Sequence, residues 1–168
     1  MDRNPRGVLE GKGRRAVEYG PTTHVLASSN ADGGMAELFL RHPGFPLTMY
    51  PPSTAWKTNL EMAKDMAAKG MDLFVWTKTW VDGSTADKQA WCRYALATYL
   101  LGKGTGNFFY FHPEKSVDRT SIFCPEMQAG LGQALGPYTV IGGVYTRLFQ
   151  GGVVTVNPVT RSAIIKIN

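Results

Sequence analysis

The sequence predicts an α/β protein in which helices alternate with strands suited to a parallel sheet, followed by a small antiparallel β-segment. Three observations predict it. Two stretches with apolar residues at helical spacing, 54–69 and about 86–101, are each followed by a short continuous apolar run. The resulting strand–helix order repeats from residue 8 to residue 111, and right-handed crossovers then place the strands parallel with the helices outside. Beyond Pro137 the apolar period switches to two, broken by Gly and Asn-Pro turn signals.

The first 52 residues are rich in Gly, Pro, Ser and Asn. Only Gly7-Val8-Leu9-Glu10 and Thr23-His24-Val25-Leu26 read as short strands there. Ser53 or Thr54 is a candidate N-cap for the first helix, because a side-chain oxygen can accept from the unpaired first-turn amides. Trp56, Leu60, Ala63 and Ala67 form its apolar stripe, widened by Met62 and Met66, and Gly70 stands where a left-handed C′ residue belongs. Leu73-Phe74-Val75-Trp76 is continuously apolar, as suits a strand covered on both faces. Asp82-Gly83 marks a turn, and Ser84 with Asp87 resembles a capping box. The second helix carries Ala90, Tyr94, Ala97 and Leu101 on one face with Trp91, Ala95 and Thr98 beside it, and Gly102 stops it. Gly102 to Gly106 then reads as a helix–strand connector rather than a phosphate loop, which requires the order strand, loop, helix. Asn107 to Phe111 is a second buried-type strand. Pro125 can open a short helix to about Leu135, closed by Gly136-Pro137. Val144–Phe149, Val153–Val156 and Ala163–Ile167 read as a three-stranded antiparallel meander.

Composition narrows the class. With 168 residues, 43% of them apolar and 18% charged, the chain can build a core, and about one domain is expected. No window approaches the ~18 apolar residues of a membrane span, and Met1 to Arg15 is basic without an apolar core, so a soluble chain without a signal peptide is expected, its location unknown. Two cysteines exclude a disulfide scaffold and a Cys₄ zinc site. The net charge of +5 and pI near 9.3 permit acidic partners. The charge is diffuse, however, and no nucleic-acid-binding motif accompanies it, so a solvated surface is the better reading.

Seven segments in order then resemble a known group: Gly7 to Gly11; Trp56 with Asn59-Leu60; Leu73 to Thr77; Arg93 to Gly102; Asn107 to Phe111; Leu131-Gly132 with Leu135-Gly136; and Tyr145 to Pro158. Together they resemble the C-terminal part of TIM-barrel glycoside hydrolases of the group called hypothetical glycosyl hydrolase family 15. A whole barrel needs about 250 residues and eight strands. The resemblance therefore implies a partial (β/α) barrel, the last three or so βα units, over residues 1–137, with a C-terminal antiparallel β-segment over 138–168. Such a piece leaves a sheet edge open, so self-association or a protein partner along that edge is expected.

The resemblance implies O-glycosyl hydrolysis without a cofactor or metal, which takes two carboxyl groups flanking the scissile bond. Glu10 follows Val8-Leu9 at a strand end, where barrel enzymes carry their chemistry, and the resemblance implies it as acid/base or nucleophile. Asp82 and Glu114 follow the later strands and are candidates for the second carboxylate, although both also read as plain loop residues. Trp76, Lys78, Trp80, Tyr110 and His112 cluster near the ends of the last two strands. Flat aromatic faces there suit stacking on sugar C–H surfaces, with Lys78 and His112 supplying polar contacts. Alternation sends Trp76 and Lys78 to one side of the strand and Thr77 to the other. The three histidines match no metal-ligand spacing, and Cys124 has no histidine placed beside it by sequence. The alternative is a non-catalytic carbohydrate-binding or structural subunit that has lost most of the barrel.

Overall fold

Regular structure begins where local chemistry allows it. The computed structural model describes residues 16–18, 32–114 and 122–168. The expected strands at Val8 and at Thr23–Leu26, together with Glu10, lie outside these residues. Two short strands that the sequence hides, β1 (Ala16–Glu18) and β2 (Gly33–Ala36), precede the first helix. They are hard to read because Gly33-Gly34 looks like a turn. At Gly33 the absence of a side chain is required: a Cβ there would sit 2.5 Å from the carbonyl oxygen of Asp72 on the neighbouring strand.

Helix α1 (Ser53–Ala68) is capped differently from expectation. Its N-cap is Pro52, without a side-chain hydrogen bond. Trp56, Leu60, Ala63 and Met66 form its buried stripe, and Gly70 follows with φ +66°, the left-handed stop its position predicts. β3 (Asp72–Lys78) leads into α2 (Thr85–Gly102), whose N-cap Ser84 accepts from the Asp87 amide at 3.1 Å. β4 (Asn107–His112) completes a four-stranded parallel sheet in sequential order β1-β2-β3-β4. Leu73 pairs with Asn107 and Lys78 with His112, so the two predicted strands do lie side by side and point the same way.

After β4 the expected helix from Pro125 is a single 3₁₀ turn ending at Gln128, because Gly130 and Gly132 follow too closely for helix propagation. The chain then forms an antiparallel sheet of β5 (Thr139–Ile141), β6 (Val144–Phe149), β7 (Gly152–Asn157) and β8 (Ser162–Ile167). It has one strand more than the predicted meander. Gly142 and Gly143, both at positive φ, make the two-residue turn that adds β5.

The two sheets share α2. Leu73, Val75 and Phe111 from the parallel sheet and Val154, Val156 and Ile165 from the antiparallel one belong to the same buried apolar cluster as Trp91, Ala95 and Leu101 of this helix. The second half of α2 is therefore buried on nearly every side, from Tyr94 to Leu101, rather than on one stripe. Ala90, expected on its inner face, is exposed. Trp56 of α1 donates from Nε1 to Thr98 Oγ1 at 2.8 Å and packs edge-on against Tyr145 of β6. A disulfide between Cys92 of α2 and Cys124 ties the segment after β4 to the helix, with 5.7 Å between Cα atoms.

Among the described residues the parallel sheet is covered by helices on one face only, where burial on both was expected. Leu73, Val75 and Thr77 point to the helices and are fully buried. On the other face, Phe74 is 38% exposed and Phe108 beside it 58% exposed.

Candidate functional site

At the N-terminal half of that open face the side chains are plain apolar ones: Met35, Phe74 and Phe108 from three neighbouring strands. Toward the C-terminal ends the character changes. Trp76 pairs with Tyr110 and, two residues on, Lys78 pairs with His112. The period of two in both strands thus puts four functional side chains on the same side of the sheet, as alternation predicts.

The rings pack around Lys78. Its Nζ lies 3.7 Å from the centroid of the Trp76 ring and 5.1 Å from that of Trp80. The Trp76 and His112 rings are parallel to within 8° with centroids 5.4 Å apart, and Trp80 meets His112 edge-on at 5.2 Å. Tyr110 approaches Trp76 at 5.9 Å. An ammonium over an indole face is attracted by the ring quadrupole, by roughly 1–2 kcal/mol once water is excluded. Lys78 is only 5% exposed, so such compensation is needed. The indole N–H groups of Trp76 and Trp80 are buried and make no hydrogen bond to the described residues, which leaves two donors at the cluster.

The rim is built by the segment after β2. The amide of Phe39 donates to the Trp76 carbonyl at 3.2 Å, Thr77 Oγ1 donates to the Phe39 carbonyl at 3.0 Å, and the Trp80 amide donates to the Pro43 carbonyl at 3.1 Å. These bonds hold residues 37–43 across the end of β3. They also place Glu37, which sequence reasoning passes over. Its carboxylate lies 3.5 Å from Lys78 Nζ. The signal for it is slight: it stands two residues after Met35, hence on the same side, at the C-terminal end of a strand that opens with two glycines.

The other predicted carboxylates fall elsewhere. Asp82 is exposed in the loop before α2. Glu114 accepts from Lys88 of α2 at 2.8 Å, with the lysine buried beneath it, which is a structural ion pair. Glu10 lies outside the described residues. Cys124, considered as a thiolate, is bonded to Cys92 and cannot act as a nucleophile in that state. A cavity of about 360 Å³ opens at the opposite end of β4, lined by Leu96, Tyr99, Phe108, Met127, Leu131 and Phe149. It lies away from the polar cluster and is walled mainly by apolar side chains.

The class is α/β, with a parallel sheet whose aromatic and charged residues gather at the carboxyl ends of its strands, where βα folds commonly bind ligands. The chain belongs to hypothetical glycosyl hydrolase family 15, whose profile matches residues 6–153. A search of curated proteins finds no match to it. No helix among the described residues is long and apolar enough to cross a membrane.

Proposed function

We propose that the chain is a glycoside-hydrolase-type protein whose strand-end cluster, Trp76, Lys78, Trp80, Tyr110 and His112, forms a carbohydrate subsite. The observation that carries this reading is the gathering of two indole rings on one buried ammonium, with Tyr110 and His112 packed against Trp76, at the C-terminal ends of adjacent parallel strands. Indole faces offer C–H stacking and the indole N–H groups offer hydrogen bonds to hydroxyls. Family membership supports O-glycosyl hydrolysis as the reaction. The sequential order of the parallel strands, with helices on one face and an open second face, supports a wedge of a (β/α) barrel as the scaffold. Within this reading Glu10, at a strand end in sequence, serves as acid/base or nucleophile. Hydrolysis of a panel of chromogenic glycosides by wild type and Glu10→Gln tests that role. A loss of roughly 10³-fold is expected, and equal rates remove Glu10 from the chemistry.

A second reading has its own observation. Phe74, Phe108 and the edge of β4, which pairs with no further strand among the described residues, leave apolar surface and backbone groups open, as in a binding or structural subunit that works against another chain. Titration with oligosaccharides separates the two readings: binding without turnover belongs to the second.

A further inference from the structure

We infer that Glu37 is the anionic carboxylate of this sugar site, the member of the two-carboxylate pair that faces the anomeric carbon. The inference rests on the carbohydrate reading above and adds a reacting group to it.

Three features single out Glu37. It follows β2 directly, one residue beyond Ala36, which pairs with Val75, and so stands level with Trp76 and Tyr110 toward the C-terminal end of the parallel sheet. Its carboxylate reaches the cluster, 3.5 Å from Lys78 Nζ, and so stands among the rings rather than on a helix surface. It is also partly open to solvent, whereas its partner lysine is buried, so a ligand seated on the rings meets the carboxylate and not the ammonium. Asp82 is an exposed loop residue, and Glu114, although as open as Glu37 and likewise paired to a buried lysine, is held to Lys88 of α2 and not to a lysine of the strand that carries the rings. A glutamate carboxylate in that place can accept a proton from water or attack carbon itself.

Two chemical routes use such a group. It takes a proton from the water whose oxygen bonds to the anomeric carbon, or its own oxygen makes that bond first and water later displaces it. In both, the glycosidic C–O bond breaks and the bonding pair leaves with the sugar oxygen. That oxygen takes up a proton from a carboxylic acid on the other side of the ring, and the sum is the addition of one water across the bond. The anomer formed first, read by proton NMR, tells which route operates.

The test compares wild type, Glu37→Gln, Glu37→Ala and Trp76→Ala of the full chain, measuring oligosaccharide binding by calorimetry and turnover of aryl glycosides. Glu37→Gln keeps the side-chain shape and an oxygen acceptor for Lys78. It is expected to bind within about threefold of wild type and to turn over roughly 10³-fold more slowly, the pattern of an interaction made in the transition state alone. Azide, small enough to fill the space left in Glu37→Ala, is expected to restore turnover and give a glycosyl azide, which a merely structural role does not produce. Trp76→Ala is expected to lose binding. Turnover of Glu37→Gln within about tenfold of wild type, or binding and turnover lost together in it, overturns the assignment while leaving the subsite reading intact. Wild type that binds glycans without hydrolysing them also overturns it. Wild type and Trp76→Ala alike in binding no glycan overturn the subsite reading, and the assignment falls with it.

Discussion

Arg147 Nη1 donates to the carbonyl oxygen of Leu101 at 3.0 Å, so a residue of the antiparallel sheet closes the C-terminus of a helix in the parallel layer. The same nitrogen reaches the carbonyls of Leu100 at 2.9 Å and Lys103 at 2.8 Å, while Nε donates to the Gly136 carbonyl at 2.9 Å. The last turn of α2 carries no basic residue of its own, and its unpaired carbonyls and negative dipole end are met by this guanidinium. Burial depresses the Arg147 pKa below its ordinary value. Within the Tyr145 to Pro158 stretch that carries the family resemblance, Arg147 thus has a structural part.

Arg147→Lys tests this contact. A lysine offers one point charge and cannot reproduce a fork that serves four carbonyls. We expect a loss of about 2–3 kcal/mol, a fall in Tm of roughly 4–10 °C, and an unchanged far-ultraviolet circular dichroism spectrum. An unchanged Tm removes the capping role.

The Cys92–Cys124 disulfide spans a sequence separation of 32 and fixes the segment after β4 to α2. Closing a loop of that size restricts the unfolded chain and contributes about 3–4 kcal/mol. Thermal melts with and without reductant are expected to differ by more than about 5 °C. Coincident melts, with two thiols alkylated in the unreduced protein, argue that the pair is not bonded in solution.

Stability should fall in acid through Glu61. Tyr138 donates to its Oε1 at 2.5 Å, tying α1 to the segment before β5, and this hydrogen bond, aided by Lys64 at 3.1 Å, holds the Glu61 carboxyl below its ordinary 4.5. Burial and the same bond push the Tyr138 phenol up. A depressed carboxyl stabilises the fold fully above pH 4.5 and loses that contribution as pH falls through the lowered folded value. Tyr138→Phe is expected to lower Tm most at neutral pH, where the contribution is fully present, and to converge with wild type as pH falls from about 5 to 3, so that this part of the Tm–pH curve is flatter. Parallel curves for wild type and Tyr138→Phe refute the linkage.

The open face makes a prediction about assembly. Phe74 and Phe108 sit side by side and exposed, next to the edge of β4, which pairs with no further strand among the described residues. Parallel sheets are ordinarily covered on both faces. We expect the isolated chain to self-associate in light-scattering chromatography and Phe74→Ser with Phe108→Ser to shift it toward monomer. A wild-type monomer at high micromolar concentration counts against the open face as a contact surface.

Much of this fold is legible in the sequence where local chemistry decides it. The stripe of Trp56, Leu60, Ala63 and Met66, the stop at Gly70, the cap at Ser84 and the strands at Leu73 and Asn107 follow from spacing and from residues with one conformational preference. The strand-end set of Trp76, Lys78, Tyr110 and His112 follows from period-two alternation once the strands are placed. β2 and Glu37 do not follow, because Gly33-Gly34 carries a turn signature and only the approach of Asp72 explains why glycine stands in a strand.

By itself the sequence determined the two helices, the strands that begin at Leu73, Asn107 and Val144, the family and the side of β3 on which the polar cluster stands, since each depends on residues near in the chain. Tertiary structure alone decided that α2 is buried nearly all round, that Cys92 meets Cys124, that Glu114 is bound to Lys88, and that Glu37 stands beside Lys78. Those facts depend on which segments pack together across 26 or more residues. Neither propensity nor periodicity reaches that far, because both describe a residue's neighbours along the chain, and burial, bonding and charge pairing are set by neighbours in space.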